Sequence, residues 1–359
     1  MQTFRVELGP ATHPVHVGDA ILDGLGELSK AAGIGPGPVA LVTDSNVARH
    51  YSARAAGALK KSGFVPKLIV IPAGEASKSS AVLQDLYDQM IGAEIDRSGS
   101  IFALGGGVVG DLGGFAAASY LRGIAVVQVP TTLVAQVDSS LGGKTGLNHP
   151  RAKNLIGAFH QPRAVIADVS TLLTLPEREF REGLAEAIKY GAIMDAAMLT
   201  DLERDLDRIL ARDLGILEAL VARSLRLKAA VVTADEREAG LRKVLNFGHT
   251  IGHALEASAG YGTYLHGEAV AIGMAAAATL SERFGGLSAD EGSRLVRLLQ
   301  RCGLPTEMPP NSRTPDFVAA LRLDKKRLES AVEFVLLQRL GKATTRQLDF
   351  DQIVSILTD

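Results

Sequence analysis

Three of the chain's eight histidines, His249, His253 and His266, fall inside the stretch NFGHTIGHALEASAGYGTYLHGE. His249 and His253 stand four apart, so on a helix they share one face. His266 follows a Gly- and Tyr-rich turn and opens the next helical pattern. Imidazoles grouped this closely point to a divalent metal. The H-x-x-x-H spacing is that of a metallopeptidase helix, but Thr250 stands where peptide hydrolysis needs Glu. A carboxylate from elsewhere should complete the set. REGLAEAIKYG offers Glu182 and Glu186 on one helical face, with Lys189 one turn from Glu186. Glu186 and Lys189 sit among Ala, Leu, Ile and Gly, and a charge in apolar company needs a partner. Two imidazoles and one carboxylate leave a zinc coordination position open for substrate, the arrangement of a Lewis-acid catalytic site.

A second group of residues suits phosphates. IFALGGGVVGDLGGF sets Gly105, Gly107 and Gly110 in G-x-G-x-x-G spacing directly after an apolar strand. Absent side chains let backbone N–H groups approach a pyrophosphate, and the helix N-terminus that follows favours its charge. The loop departs from the usual dinucleotide fingerprint because it follows a later strand, not the first. Asp44 ends the earlier run VALVTD, where a carboxylate can hold ribose hydroxyls, and AGEASK ends another with Glu75 and Lys78. PTTLVAQVDSSLGGKTGLN adds Thr131, Thr132, Asp138 and Lys144, and KNLIGAFHQP adds Lys153 and Asn154. GGKT looks like the end of a P-loop, but Asp138 occupies the required glycine, which excludes triphosphate hydrolysis of that kind.

These residues need elements to hold them. In the first half, short apolar runs ending in polar turns (Val39 to Asn46, Pro66 to Gly74, Ser100 to Gly107, Ala125 to Thr132, Arg163 to Ser170) alternate with helical segments such as Asn46 to Ser62 and Ser79 to Gly92. Apolar runs without alternation suit strands buried on both faces, so the pattern predicts a doubly wound α/β domain. After TLPERE helical patterns take over: Glu177 to Tyr190, Asp195 to Leu210, Gly215 to Asp235, Asn246 to Ala259 and Gly267 to Phe284. VEFVLLQRL near the C-terminus leans towards strand. The boundary is expected near Leu175 and Pro176, giving domains 1–175 and 176–359.

Composition narrows the class. The 359 residues, 47% hydrophobic and 22% charged, describe a globular chain of two ordinary domains. A net charge of -2 gives no general attraction to nucleic acid or acidic membranes. The single Cys302 cannot form an internal disulfide, and neither a signal peptide nor an apolar run of membrane-spanning length is evident, so a soluble cytoplasmic protein is expected.

The motifs GGGVVGDLGGFAAASYLRGI, VPTTLVAQVDSSLGGKTGLN, KNLIGAFHQP, GLAEAIKYG, LNFGHTIGHALE and HGEAVAIGM, in this order, resemble the 3-dehydroquinate synthase family of sugar-phosphate cyclases. The resemblance runs from about Asp44 to Lys326. It implies a Rossmann-like NAD-binding α/β domain followed by an all-α metal- and substrate-binding domain, with the active site in the cleft between them. It implies that Glu186, His249 and His266 hold zinc or cobalt. It assigns NAD to Asp44, to Gly74, Glu75 and Lys78, to Gly107, Val108, Val109, Gly110 and Asp111, to Thr131, Thr132, Lys144 and Lys153, and to Thr171, Leu172, Leu173 and Thr174. Substrate falls to Arg122, Asp138, Lys144, Asn154, Lys189, Lys228, Arg242, Asn246 and His253, with Lys325 or Lys326 of the LDKK segment. That segment departs from the family pattern, since no glycine follows in Arg327 to Val332.

The activity so implied converts 3-deoxy-D-arabino-heptulosonate 7-phosphate to 3-dehydroquinate and phosphate in the shikimate pathway. NAD takes hydride from a ring alcohol, phosphate leaves by β-elimination, hydride returns, the ring opens and an intramolecular aldol reaction closes the carbocycle. The result is a lyase with no net redox change, expected to act as a homodimer. Competing readings are a sibling cyclase making valiolone- or inosose-type rings, a metal-dependent polyol dehydrogenase and an NAD-binding sensor with a structural metal. Arg242, Asn246, His253 and the LDKK segment match the dehydroquinate type, and the cations of the two polar motifs suit an anionic substrate better than a neutral polyol.

Overall fold

A computed structural model describes residues 1–149, 152–260, 262–309, 317–319, 321, 331–349 and 353. Two compact units emerge. One is Met1–Pro176 together with Leu214–Arg237; the other is Glu177–Asp213 with Glu238–Asp359. A single division near 175 would place the Leu214–Ala234 helix in the second unit. It groups with the first because it packs against β1 (Gln2–Val6), β2 (His13–Gly18) and the 135–139 and 169–174 segments.

The chain of the first unit continues through β3 (Pro38–Asp44), β4 (Val65–Ile71), β5 (Ser100–Gly105), β6 (Ala125–Pro130), β7 (Lys144–His149), β8 (Ala152–Phe159) and β9 (Ala164–Asp168). Seven of these strands form one sheet in the order β1-β2-β9-β6-β5-β3-β4, parallel except for β1. The central strands are buried throughout, as their unbroken apolar runs require. A separate core lies on each face. Leu59, Phe64, Phe102 and Val127 belong to one, and Leu86, Met90, Ile101 and Leu112 to the other. The Ala53–Lys61 helix supplies the first, and the Ser80–Gly92 and Gly107–Ser119 helices the second. From β3 the chain crosses to β4 on one side and then to β5 on the other. The carboxyl ends of β3 and β5 therefore form the topological switch point, where open α/β sheets bind ligands. β7 and β8 pair as an antiparallel hairpin outside the sheet.

The second unit is mainly helical. Glu177–Met194, Ala196–Leu210, His249–Ser258, His266–Phe284 and Ala289–Arg301 are its chief helices. It is not wholly α, because β10 (Ala331–Arg339) and β11 (Lys342–Asp349) pair as a hairpin. Phe334 and Leu336 of β10 pack with Ile251, Leu255, Ile272 and Leu280 in the unit's core. Lys325 and Lys326 lie outside the described residues. Among the described residues, no helix is long and apolar enough to cross a membrane.

Candidate active site

In the second unit, three helices are drawn together by glycines. A Cβ on Gly267 would meet the Glu182 carbonyl oxygen at 2.0 Å, so its absence lets the His266 helix close onto the Glu186 helix. Gly273 does the same against the Gly248 carbonyl, where a Cβ would sit 1.9 Å away. Gly248 precedes the His249 helix at φ +79°, a left-handed conformation that favours glycine. Gly267 N–H also donates to Glu182 Oε2 at 2.8 Å. Burial raises the Glu182 carboxyl to about 7, although this bond and the nearby His266 oppose the shift.

The approach brings Glu186, His249 and His266 into one group whose ligand atoms all lie within 4.8 Å. Glu186 Oε1 is 3.5 Å from His249 Nε2 and 3.3 Å from His266 Nε2. Ligands about 2.1 Å from one tetrahedral ion stand about 3.4 Å apart, so these spacings fit zinc or a similar divalent ion. Glu186 is 0% exposed and Lys189, one turn on, is 1% exposed, with its ammonium on Glu186 Oε2. Burial, then the Lys189 charge, hold the His249 imidazole down at about 3, so it is neutral and able to ligate. Burial also presses on His266, but Glu186 and Glu256 outweigh it and raise that imidazole to about 10. His253 is exposed at the edge of the group, its ring centroid 5.4 Å from that of His249 and 6.1 Å from that of His266. Arg242 is buried in the turn before the His249 helix, and Asn246 Nδ2 donates to Glu238. Sequence reasoning did not single out Glu256. Its signal was a carboxylate three residues after His253, set among Ala254, Leu255 and Ala257, where burial needs a partner.

In the first unit, the candidates gather at the carboxyl ends of strands. Asp44 ends β3 and accepts from the N–H groups of Asn46 and Val47 through Oδ1, starting the next helix. Gly105 ends β5. A Cβ there would meet Val109 at 2.5 Å, and one on Gly110 would meet Gln128 at 2.9 Å, so part of the glycine pattern serves close packing. Val109 lies in the core, so only its backbone can face a ligand, whereas Gly107, Val108, Gly110 and Asp111 are partly exposed along the same first turn. Gly74 takes φ +104° ahead of Glu75. Lys78 is buried and its ammonium bonds Asp111 at 2.7 Å and Asn154 at 2.5 Å, with Glu75 at 3.7 Å. It therefore ties three other candidates together. Burial raises the Asp111 carboxyl despite the neighbouring Lys78 charge.

Thr131 follows β6, and its Oγ1 is buried with no hydrogen-bond partner among the described residues. Thr132 Oγ1 accepts the Ala135 N–H. Asp138 and Lys228 form an ion pair at 2.8 Å, an association between the 135–139 turn and the Leu214–Ala234 helix. Lys144 starts β7 after Gly142 and Gly143, both at positive φ, and Lys153 and Asn154 lie on β8. Thr171 and Thr174 share Tyr51 OH, while Leu172 is buried and Leu173 exposed. Arg122 sits on a loop where Leu121, Arg122 and Gly123 all have positive φ, strain of the kind found at binding sites.

The family models for the 3-dehydroquinate synthase N-terminal and C-terminal regions match residues 68–182 and 183–327. A 3-dehydroquinate synthase of Geobacter metallireducens is 49% identical over 357 residues, covering 99% of each chain. That of Desulforamulus reducens is 49% identical over 342 residues, covering 95% of each. Among solved structures, a 2-epi-5-epi-valiolone synthase from Streptomyces hygroscopicus, with NAD+ and Zn2+ bound, superposes with TM-score 0.88 at 27% identity, over 98% of this chain and 96% of that one. A 2-deoxy-scyllo-inosose synthase in complex with carbaglucose-6-phosphate, NAD+ and Co2+ gives 0.86 at 26%, over 99% of each. A glycerol dehydrogenase from Schizosaccharomyces pombe, at TM-score 0.67 and 17% identity over 96% of this chain and 87% of that one, shares the fold alone. Both cyclases are less similar in sequence to this chain than the 3-dehydroquinate synthases are. The chain belongs to the 3-dehydroquinate synthase family.

Proposed function

We propose that the chain converts 3-deoxy-D-arabino-heptulosonate 7-phosphate to 3-dehydroquinate and phosphate, dependent on NAD and a divalent metal, as a cytoplasmic homodimer. The observation that carries the metal dependence is the spacing of Glu186 Oε1 to His249 Nε2 and His266 Nε2. When bound, NAD and the ion supply transient hydride acceptance and Lewis-acid polarisation of the reacting alcohol.

The chain's own residues do the rest. Glu186, His249 and His266 would hold the ion, with Lys189 fixing the Glu186 carboxylate and adding a positive charge for an anionic substrate. Burial keeps His249 neutral, and the Lys189 charge adds to this by disfavouring a second cation nearby. Asp44, the Gly74–Lys78 loop, the first turn of the Gly107–Ser119 helix, Thr131, Thr132 and the Thr171–Thr174 turn would seat NAD, with Lys144 and Lys153 beside them. The buried Thr131 hydroxyl and the N–H groups at the start of that helix, ahead of its first internal bond from Gly110 to Gly106, are suited to pyrophosphate and ribose. Arg122, Lys144 and Asn154 would engage substrate in the first unit, and Arg242 and Asn246 in the second. Arginine and lysine suit carboxylate and phosphate, which need charge-assisted hydrogen bonds. The Lys228–Asp138 pair offers a charged side chain of each sign to substrate. His253, an exposed imidazole beside the metal group, would move a proton near the departing phosphate. Glu186→Ala should abolish zinc binding and phosphate release while NAD binding survives. Retained zinc in that variant would contradict the ligand assignment.

A further inference from the structure

His266 is held from both sides. Its Nε2 faces Glu186 Oε1 at 3.3 Å, and its Nδ1 faces Glu256 Oε2 at 3.6 Å. Glu256 is 5% exposed and lies on the His249–Ser258 helix, one helix away from the residue it faces. His249 shows the same arrangement with a different partner: its Nδ1 meets the Phe247 carbonyl at 3.2 Å while its Nε2 points to Glu186. In each ring, therefore, the nitrogen away from the metal group faces an oxygen, within hydrogen-bond distance for His249 and 0.1 Å beyond the 3.5 Å limit for His266, close enough for a small rotation of the Glu256 side chain to make the bond. An acceptor at Nδ1 fixes the proton there, leaves the lone pair on Nε2 and sets the ring plane.

We propose that Glu256 is the positioning residue of the metal centre: its carboxylate accepts the His266 Nδ1–H and so selects the tautomer and ring orientation that present Nε2 to the ion. The inference rests on Glu186, His249 and His266 being the ligands. A carboxylate is needed at this position because His266 is the more exposed of the two imidazoles, at 33% against 11% for His249, with less packing to hold its plane. Two restraints act where its helix begins. The Gly267 N–H bond to Glu182 fixes the backbone, and the Glu256 carboxylate fixes the ring.

The same side chain admits a different chemistry. His253, Glu256 and His266 also offer ligand atoms within 4.8 Å of one another, which would make Glu256 a direct ligand of a second ion. The two roles differ in stoichiometry. As a positioning residue Glu256 tunes the affinity for one ion per chain, whereas as a ligand it adds a second ion.

The test uses full-length wild type, Glu256→Gln, Glu256→Leu and Glu186→Ala, titrated with zinc against a chromophoric chelator, with zinc per chain counted at saturation. Glu256→Gln keeps the shape and a weaker acceptor, so zinc affinity should fall about tenfold, and in Glu256→Leu about a hundredfold. One zinc per chain should remain in both, NAD affinity should be unchanged, and saturating zinc should restore most activity. A purely structural role would lower the unfolding temperature and leave zinc affinity where it was. Wild-type affinity in a folded Glu256→Gln would overturn the inference, as would two zinc ions in wild type falling to one in that variant. Glu186→Ala separates the two levels. If it keeps zinc, the ligand assignment itself fails; if it loses zinc while both Glu256 variants bind normally, only the role of Glu256 fails.

Discussion

Gly267→Ala tests how the metal group is assembled, without touching a ligand. The added Cβ would sit 2.0 Å from the Glu182 carbonyl oxygen and 2.7 Å from its carbon, both main-chain atoms that cannot swing aside. Real Cβ atoms essentially never come closer than 3.0 Å, so the His266 and Glu186 helices must part by about 1 Å. Metal sites tolerate errors of about 0.2 Å in ligand distance, several times less than this displacement. The same movement stretches the Gly267–Glu182 hydrogen bond, now 2.8 Å. Overpacking of this kind costs about 1–3 kcal/mol and the lost bond about 1 kcal/mol more. Zinc affinity should fall at least about tenfold, beyond what the stability loss explains, while NAD affinity holds. Chelator competition, NAD titration and urea unfolding of the same preparation measure all three. Wild-type zinc affinity in Gly267→Ala would refute the claim that close helix approach at this glycine builds the site.

With no ion bound, the His266 imidazole is raised to about 10, above its usual 6.5, so the stability it contributes is complete below about 6.5 and is lost as pH rises through about 10. Zinc must displace that proton, so its affinity should rise about tenfold per pH unit between roughly 7 and 9, with His249 adding nothing because it is already neutral; a pH-independent affinity would contradict this. Gly57 serves as the contrast to Gly267: it lies inside the Ala53–Lys61 helix with nothing within 4 Å of an added Cβ. Gly57→Ala should stabilise the protein by about 0.5–1 kcal/mol in urea unfolding, with zinc affinity unchanged.

Much of the framework was legible in the sequence because it depends on local pattern. The runs at Val39, Ser100 and Ala125 are buried parallel strands, and helices stand where helical patterns were expected at Ser79, Glu177 and Gly267. Other features depend on partners far away in the chain. The Leu214–Ala234 helix looks like its helical neighbours in sequence, and only its packing against β1 and β2 assigns it to the first unit. β7 and β8 pair with each other and not with the main sheet, which their composition does not announce. VEFVLLQRL is a strand, as its β-branched residues suggested, but its partner β11 is polar and carries little signal of its own.

The site shows the same division. Glu186, His249 and His266 could be grouped from residue type and resemblance, and the structure brings them within ligand distance of one another. Lys78 reads in sequence as a cation for phosphate, yet it is buried against Asp111 and Asn154, a pairing that crosses 33 and 76 positions. Glu256 was hidden for a related reason. A lone acidic residue in a helix looks ordinary until the ring it faces, on the next helix, is known.

The reaction proposed for this chain is a redox-neutral lyase reaction that uses NAD and a metal. The most direct measurement follows phosphate and reduced nicotinamide together after adding 3-deoxy-D-arabino-heptulosonate 7-phosphate to the NAD- and zinc-loaded protein. Many phosphates should be released per chain with no net accumulation of NADH, and turnover should be lost when a chelator removes the zinc. NADH accumulating in step with substrate consumed, or no phosphate from the fully loaded protein, would contradict the claim.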